Sequence, residues 1–139
     1  MPVFTDIKGI ARSTLEFIIE VSRSSAPNEF AGLMRAEKGV IKDVIFLPGT
    51  QSSQISAVLR LYMMPNVSVA GSVHSHPSSN INPSRADLAL FARIGDYHII
   101  VGAPYNMRSW RCYNANGISR VLDVLDIEFE ADEADFELL

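Results

Sequence analysis

The residues that invite a chemical reading lie in the run His74-Ser75-His76-Pro77-Ser78-Ser79-Asn80-Ile81-Asn82-Pro83-Ser84-Arg85-Ala86-Asp87. Neutral imidazole and carboxylate are good zinc ligands, and a catalytic zinc keeps three protein ligands with the fourth position open. Val67, Val69, Gly71 and Val73 alternate with Ser68, Ala70, Ser72, His74 and His76. A strand turns alternate side chains to one face, so one face delivers both imidazoles. Ser84 and Asp87 stand three apart at the start of a helical pattern and share a helix face. Residues 77–82 are chain enough to fold that helix start back over the strand end. The spacing predicts a His74, His76, Asp87 set for one zinc ion (Zn2+) per chain, beside a helix N-terminus whose dipole favours an anionic ligand.

Other His-x-His hydrolases fit less well. A metallo-β-lactamase-type site calls for Asp-His two residues after the second histidine, where Ser78 and Ser79 stand. A cupin calls for a glutamate where Asn80 and Ile81 stand. A barrel amidohydrolase needs about 250 residues, and this chain has 139. His98 opens an apolar run and has no partner at ligand spacing, so it reads as a structural histidine.

The elements that must position these groups follow from hydrophobic periodicity. Ile7, Ile10, Ala11, Thr14, Leu15, Ile18, Ile19 and Ser22 repeat at helical spacing, which predicts an amphipathic helix capped by Thr5 or Asp6 and ended by Ser24-Ser25-Ala26-Pro27. Phe30–Met34 and Val40–Leu47, separated by Glu37-Lys38-Gly39, read as a hairpin. Ser56–Tyr62 reads as a strand and Met63-Met64-Pro65-Asn66 as a turn, followed by the histidine strand. Asn82-Pro83 reads as a helix start, with Asn82 as the cap, Leu88, Leu90, Phe91 and Ile94 on the buried side and Gly95 at the end. His98–Val101 and Trp110–Tyr113 are strands, and Asn114-Ala115-Asn116-Gly117 turns into a last strand near Val121–Glu130. Strands interrupted by helices predict an α/β fold in which a mixed β-sheet is packed between helices.

Composition narrows the class. The chain is 47% hydrophobic and 20% charged, ordinary for a globular protein of one domain. No apolar run approaches the roughly 18 residues of a membrane span. The start Met1-Pro2-Val3-Phe4 lacks the features of a signal peptide, which predicts a cytoplasmic protein. Cys112 is the only cysteine, which excludes an internal disulfide and a cysteine-based zinc knuckle. The net charge of −4 sits in the end: residues 126–139 hold seven acids and no base, leaving nine acids against twelve bases before them, a net of +3. Neither balance points to nucleic acid. Residues 1–130 are expected as one domain and residues 131–139 as an acidic tail.

His74-x-His76, seven residues, Ser84, two residues and Asp87, preceded by Glu29-x-x-Gly32, resemble the JAMM (MPN-plus) zinc isopeptidases. The resemblance runs from the first helix to the strand after Trp110 and is nearest to the short archaeal members. It implies an MPN/JAMM-like, cytidine-deaminase-like core. It further implies that His74, His76 and Asp87 bind zinc, that Glu29 works through the metal's water, and that Ser84 steadies the oxyanion. The family's larger deubiquitinases carry insertions that this chain is too short to hold.

The chemistry agrees. Amide hydrolysis needs a nucleophile, charge stabilisation on the carbonyl oxygen and a proton for the leaving amine. Zinc lowers the pKa of its water to around 7 and polarises the carbonyl, and a neighbouring carboxylate can carry the proton. Glu29 is the candidate base, since the Phe30–Met34 strand that follows can bring it to the metal. By itself it would read as a solvated turn acid. Ser84 suits an oxyanion donor, although serine also commonly starts helices. Cys112, between Arg111 and Tyr113, reads as a small packed side chain.

The expected function is a zinc metalloprotease acting at the C-terminal tail of a ubiquitin-like modifier protein. The alternatives are trimming of a sulfur-carrier protein's C-terminus, also practised by small relatives of the family, and a non-catalytic MPN scaffold, against which the intact five-residue set argues. Neither nucleic acid nor a membrane is expected as a partner.

Overall fold

The computed structural model describes residues 6–46 and 69–128. Its clearest local unit is the hairpin of β2 (Ala31–Glu37) and β3 (Val40–Phe46). Lys38 and Gly39 between them both take positive φ, 53° and 81°. That is the two-residue turn whose twist matches paired strands. β2 also pairs antiparallel with β4 (Val69–Ser75), with Ala31 opposite His74 and Leu33 opposite Ser72. β4 in turn runs parallel to β5 (His98–Val101), and β5 antiparallel to β6 (Trp110–Tyr113).

The remaining strands are short: β1 (Gly9–Ala11), β7 (Ser119–Arg120) and β8 (Val124–Leu125). They complete one eight-stranded mixed sheet in the order β7-β6-β5-β4-β2-β3-β1-β8. β7 and β8 occupy opposite edges, yet only Val121, Leu122 and Asp123 join them. In a flat sheet seven steps of about 4.8 Å would part the edges by roughly 34 Å. Three linking residues reach at most about 14 Å. The sheet therefore curls until its edges nearly meet.

Helix α1 (Arg12–Ser25) packs on one face, where Leu15, Ile18 and Ile19 join Ile10, Met34, Ile41, Val73, Ile99 and Val101 in the main core. Helix α2 (Arg85–Phe91) lies on the other, where Phe91 meets Ile100 and Tyr113. Strand alternation sorts β5 between the two: Ile99 and Val101 go to the first core, and Ile100 goes to the second. A mixed sheet packed between helices is thus what the chain forms.

Several boundaries differ from expectation. The first helix starts at Arg12, because Ile10 and Ala11 form β1 and pair with β3 and β8. Asp6 lies ahead of that strand, so it is not the cap; the cap position is Ala11, without a side-chain bond. Both residues are buried as their periodicity predicted; sheet pairing, not helix continuation, buries them. The second helix is capped by Ser84 and not by Asn82. It ends at Phe91, before Ile94, which is buried beyond the helix end against Leu33. Within the described part of the last predicted strand, Val121–Glu130, only Val124 and Leu125 are paired, as β8, while β7 precedes it on the opposite edge. Ser56–Tyr62, Met63–Asn66 and the tail 131–139 lie outside the described residues.

Candidate metal centre

β4 ends at Ser75, and the pairing continues one step as the His76 N–H donates to Val101 O at 2.8 Å. His74 and His76 therefore leave the sheet on one face, the face that α2 covers: the His74 ring lies 6.4 Å from the Phe91 ring. On that side a capping box builds the first turn of α2. The Asp87 N–H donates to Ser84 Oγ at 3.1 Å, and the Ser84 N–H donates to Asp87 Oδ2 at 2.9 Å. The cap orients the Asp87 carboxylate before any ligand is considered.

The three predicted ligands converge. His74 Nε2 lies 3.1 Å from His76 Nε2 and 3.1 Å from Asp87 Oδ1, and His76 Nε2 lies 3.3 Å from Asp87 Oδ2. Their ligand atoms form a potential metal-holding group, the one such group among the described residues. A tetrahedral zinc with ligands at about 2.0–2.1 Å sets neighbouring donor atoms about 3.3–3.4 Å apart, so the spacing fits. The side chains are 12%, 15% and 16% exposed, which leaves one side open to solvent.

Proton placement supports the same fit. His76 Nδ1 is 2.7 Å from Asn80 O. A carbonyl oxygen only accepts, so Nδ1 carries the hydrogen and Nε2 of the neutral ring presents a lone pair. That lone pair faces a carboxylate oxygen and a second imidazole nitrogen, an arrangement that a cation satisfies. Burial works to raise the Asp87 carboxyl. The hydrogen bond to His74 and its charge, with the two bonds from Ser84, outweigh burial and hold it well below the usual carboxylate range.

The other two predicted residues sit differently. Ser84 is exposed, and its hydroxyl accepts from the Asp87 N–H as part of the capping box. Glu29 is exposed and makes no hydrogen bond or ion pair with the ligand set among the described residues. Its position follows from the sheet: the Ser75 N–H donates to Phe30 O at 2.9 Å, and the Phe30 N–H donates to Ser75 Oγ at 2.8 Å. Glu29 is the residue just before Phe30, where the β2–β4 ladder ends beside the histidine strand.

Sequence reasoning missed the Asn80 carbonyl and the Ser75 hydroxyl. A backbone carbonyl leaves no residue signature, whereas a small hydroxyl between two ligand histidines is a signal that was there to read. The structural residues are where expected. His98 is fully buried; its Nδ1 is 2.7 Å from Ser72 Oγ and its Nε2 is 3.2 Å from Gly95 O. Cys112 is 2% exposed, and burial pushes its thiol up to about 11, too high for a nucleophile.

A curled mixed sheet that brings a His-x-His strand end to a capped Asp defines a metal-centre protein of the metalloprotease-like kind. The model for prokaryotic homologs of the JAB domain matches residues 11–113, and the chain belongs to that JAMM family. It is 38% identical to a probable metalloprotease of Haloferax volcanii, over 95% of this chain and 88% of that one. Among solved structures it is similar to a JAB1/MPN domain protein from Archaeoglobus fulgidus, with 40% identity, a TM-score of 0.71 and coverage of 84% and 98%. It is also similar to a chain described as JAMM, a metalloprotease-like zinc site in the proteasome and signalosome, with 39% identity, a TM-score of 0.69 and coverage of 86% and 98%. No helix among the described residues is long and apolar enough to cross a membrane.

Proposed function

We propose that the chain is a zinc-dependent peptidase or isopeptidase that hydrolyses the bond at the C-terminal tail of a ubiquitin-like modifier. In this reading His74, His76 and Asp87 hold one zinc ion per chain, Glu29 carries the proton and Ser84 donates to the oxyanion. The observation that supports it is the convergence of three ligand atoms at 3.1–3.3 Å, with the His76 hydrogen already committed to Asn80 O. Bound zinc supplies Lewis acidity, which makes a hydrolytic water available near neutral pH and polarises the carbonyl. Glu29, solvent-facing and two residues before β2, takes a proton from the attacking water and returns it to the leaving amine. Ser84 directs its hydroxyl hydrogen at the carbonyl oxygen, a contribution of about 3 kcal/mol in comparable oxyanion holes. The substrate tail lies extended along an exposed strand edge and is gripped through its main chain.

The test presents purified protein with a lysine-linked conjugate of a ubiquitin-like protein and, in parallel, with a sulfur-carrier protein bearing an extra C-terminal residue. The expected outcome is cleavage of the conjugate, one zinc per chain, and loss of metal in His74→Ala and Asp87→Ala. Chelation abolishes turnover, while thiol alkylation leaves it intact because Cys112 is buried. Glu29→Gln keeps the metal and loses turnover by about 10²-fold or more. Undiminished cleavage in Glu29→Gln or in the presence of chelator overturns the mechanism. Cleavage of the carrier alone moves the substrate to the alternative class.

A further inference from the structure

The two elements that carry the metal ligands are joined by the loop 77–83, and that loop also supplies the carbonyl that sets the His76 tautomer. Asn80 O does this work at 2.7 Å from His76 Nδ1, so the orientation of one exposed peptide governs which ring nitrogen faces the metal position. The loop's own bonds, Asn80 N–H to Ser78 Oγ at 3.2 Å and Asn82 N–H to Asn80 Oδ1 at 3.0 Å, are local and solvent-exposed. Two bonds hold it from outside: the Ala103 N–H donates to Ser78 O at 3.0 Å, at the loop's start, and a phenol reaches the peptide next to Asn80. The Tyr113 hydroxyl, reaching across from β6, donates to Ile81 O at 2.6 Å. Ile81 O belongs to the peptide immediately after the one that carries Asn80 O. Tyr113 itself is 3% exposed, pairs in register with His98 on β5 and stacks on Phe91 with ring centroids 6.1 Å apart. It is anchored by the sheet and offers its only polar atom to the loop.

We propose that Tyr113 is a positioning residue for the metal centre. Its buried phenol pins the Ile81 peptide, so the adjacent Asn80 carbonyl keeps the hydrogen on His76 Nδ1 and the lone pair on Nε2. The inference rests on the zinc reading above for its consequence, but the tautomer itself is measured without metal. Groups that orient a ligand histidine directly are worth about 10- to 100-fold in metal affinity. Tyr113 acts one bond further out, so a loss near the lower end is expected.

The experiment compares wild type with Tyr113→Phe, which keeps the ring and its packing and removes the hydroxyl. A second variant carries p-aminophenylalanine at 113, whose N–H is a weaker donor. Long-range proton–nitrogen correlation spectra of the metal-free proteins report the His76 tautomer. Competition against a chromophoric chelator reports zinc affinity, and thermal unfolding runs alongside. Wild type is expected as the Nδ1–H tautomer. Tyr113→Phe is expected as a mixture of tautomers with zinc affinity about 10-fold lower, and the amino variant between them. A pure Nδ1–H tautomer and unchanged affinity in Tyr113→Phe overturn the proposal, even if its melting temperature falls. Should Tyr113→Phe fail to fold, wild-type values in the amino variant overturn it equally. A wild type that binds no zinc removes the metal reading, and the tautomer comparison still decides whether Tyr113 holds His76.

Discussion

The three histidines of this chain fall into two environments, and the difference between them is made by neighbours within a few ångströms. His74 and His76 turn ring nitrogens toward a carboxylate and toward each other. His98 is sealed beneath Phe91, with ring centroids 4.2 Å apart, and its hydrogen-bond partners, Ser72 Oγ and Gly95 O, are neutral. Desolvation by burial drives its pKa from the ordinary 6.5 down to about 4. Above 6.5 the folded and unfolded chains are both neutral at this ring, and it contributes no pH dependence. As the pH falls below 6.5 the unfolded chain takes up the proton and the folded one does not, so stability is lost progressively until about pH 4. The gap between the two values corresponds to about 3 kcal/mol. An NMR titration is expected to find the His98 ring still neutral in the folded protein at pH 5, with urea stability declining over the same window. A midpoint near 6.5 in the folded protein would refute this account. At this scale the sequence was informative because a ligand set is a pattern of side chains. It was silent on Asn80 O and on the hydroxyl of Tyr113, whose roles depend on where the backbone goes.

The elements hold the site with unequal strength. β4 is clamped between β2 and β5 and delivers its histidines from the middle of the sheet. Helix α2 has seven residues, and only Phe91 among them is buried. A helix this short is marginal without tertiary support, and its support here is Phe91, the partly buried Leu90 packed against Leu33 and Ile94, and a capping box at Ser84. A metal held by Asp87 adds a further fastening. Zinc is therefore expected to protect α2 amides from hydrogen exchange more than those of β4. At a free concentration of about 100 times its dissociation constant it should raise global stability by about 2.7 kcal/mol. Equal protection of both elements on zinc addition would show that α2 is rigid already. Long-range pairing explains which elements were legible. The hairpin and β4 and β5 declare themselves by alternation and turn chemistry. β1 reads as helix because Ile10 and Ala11 satisfy both periods, and nothing local says that Ile41, Val124 and Leu125 will pair with them. Asn82-Pro83 reads as a helix start by residue type, but Ser84-x-x-Asp87 offers the stronger reciprocal cap.

The whole molecule depends on a closure that its metal site does not touch. All five proposed site positions fall between residues 29 and 87, and the family match ends at residue 113, yet the sheet is completed by β8. There the Ile10 N–H donates to Asp123 O at 2.8 Å, and Leu122 and Val124 pack into the main core. The exposed Arg12–Asp126 ion pair across the same junction contributes little. Burying an aliphatic side chain is worth about 1.5–3 kcal/mol, so losing Leu122 and Val124 with their ladder bonds removes a large part of a typical 5–15 kcal/mol stability. It also leaves β1 as an open edge, a template for aggregation. A chain ending at residue 120 is therefore expected to aggregate or to lose cooperative unfolding and zinc binding together, although every metal ligand remains. A chain ending at residue 130, which lacks only the acidic tail, is expected to unfold and to bind zinc as the full chain does. Cooperative unfolding of the 120-residue form at the full-length midpoint would mean that the curl is decoration. Its failure beside an intact 130-residue form would place the last strand among the supports of a metal site that shares no residue with it.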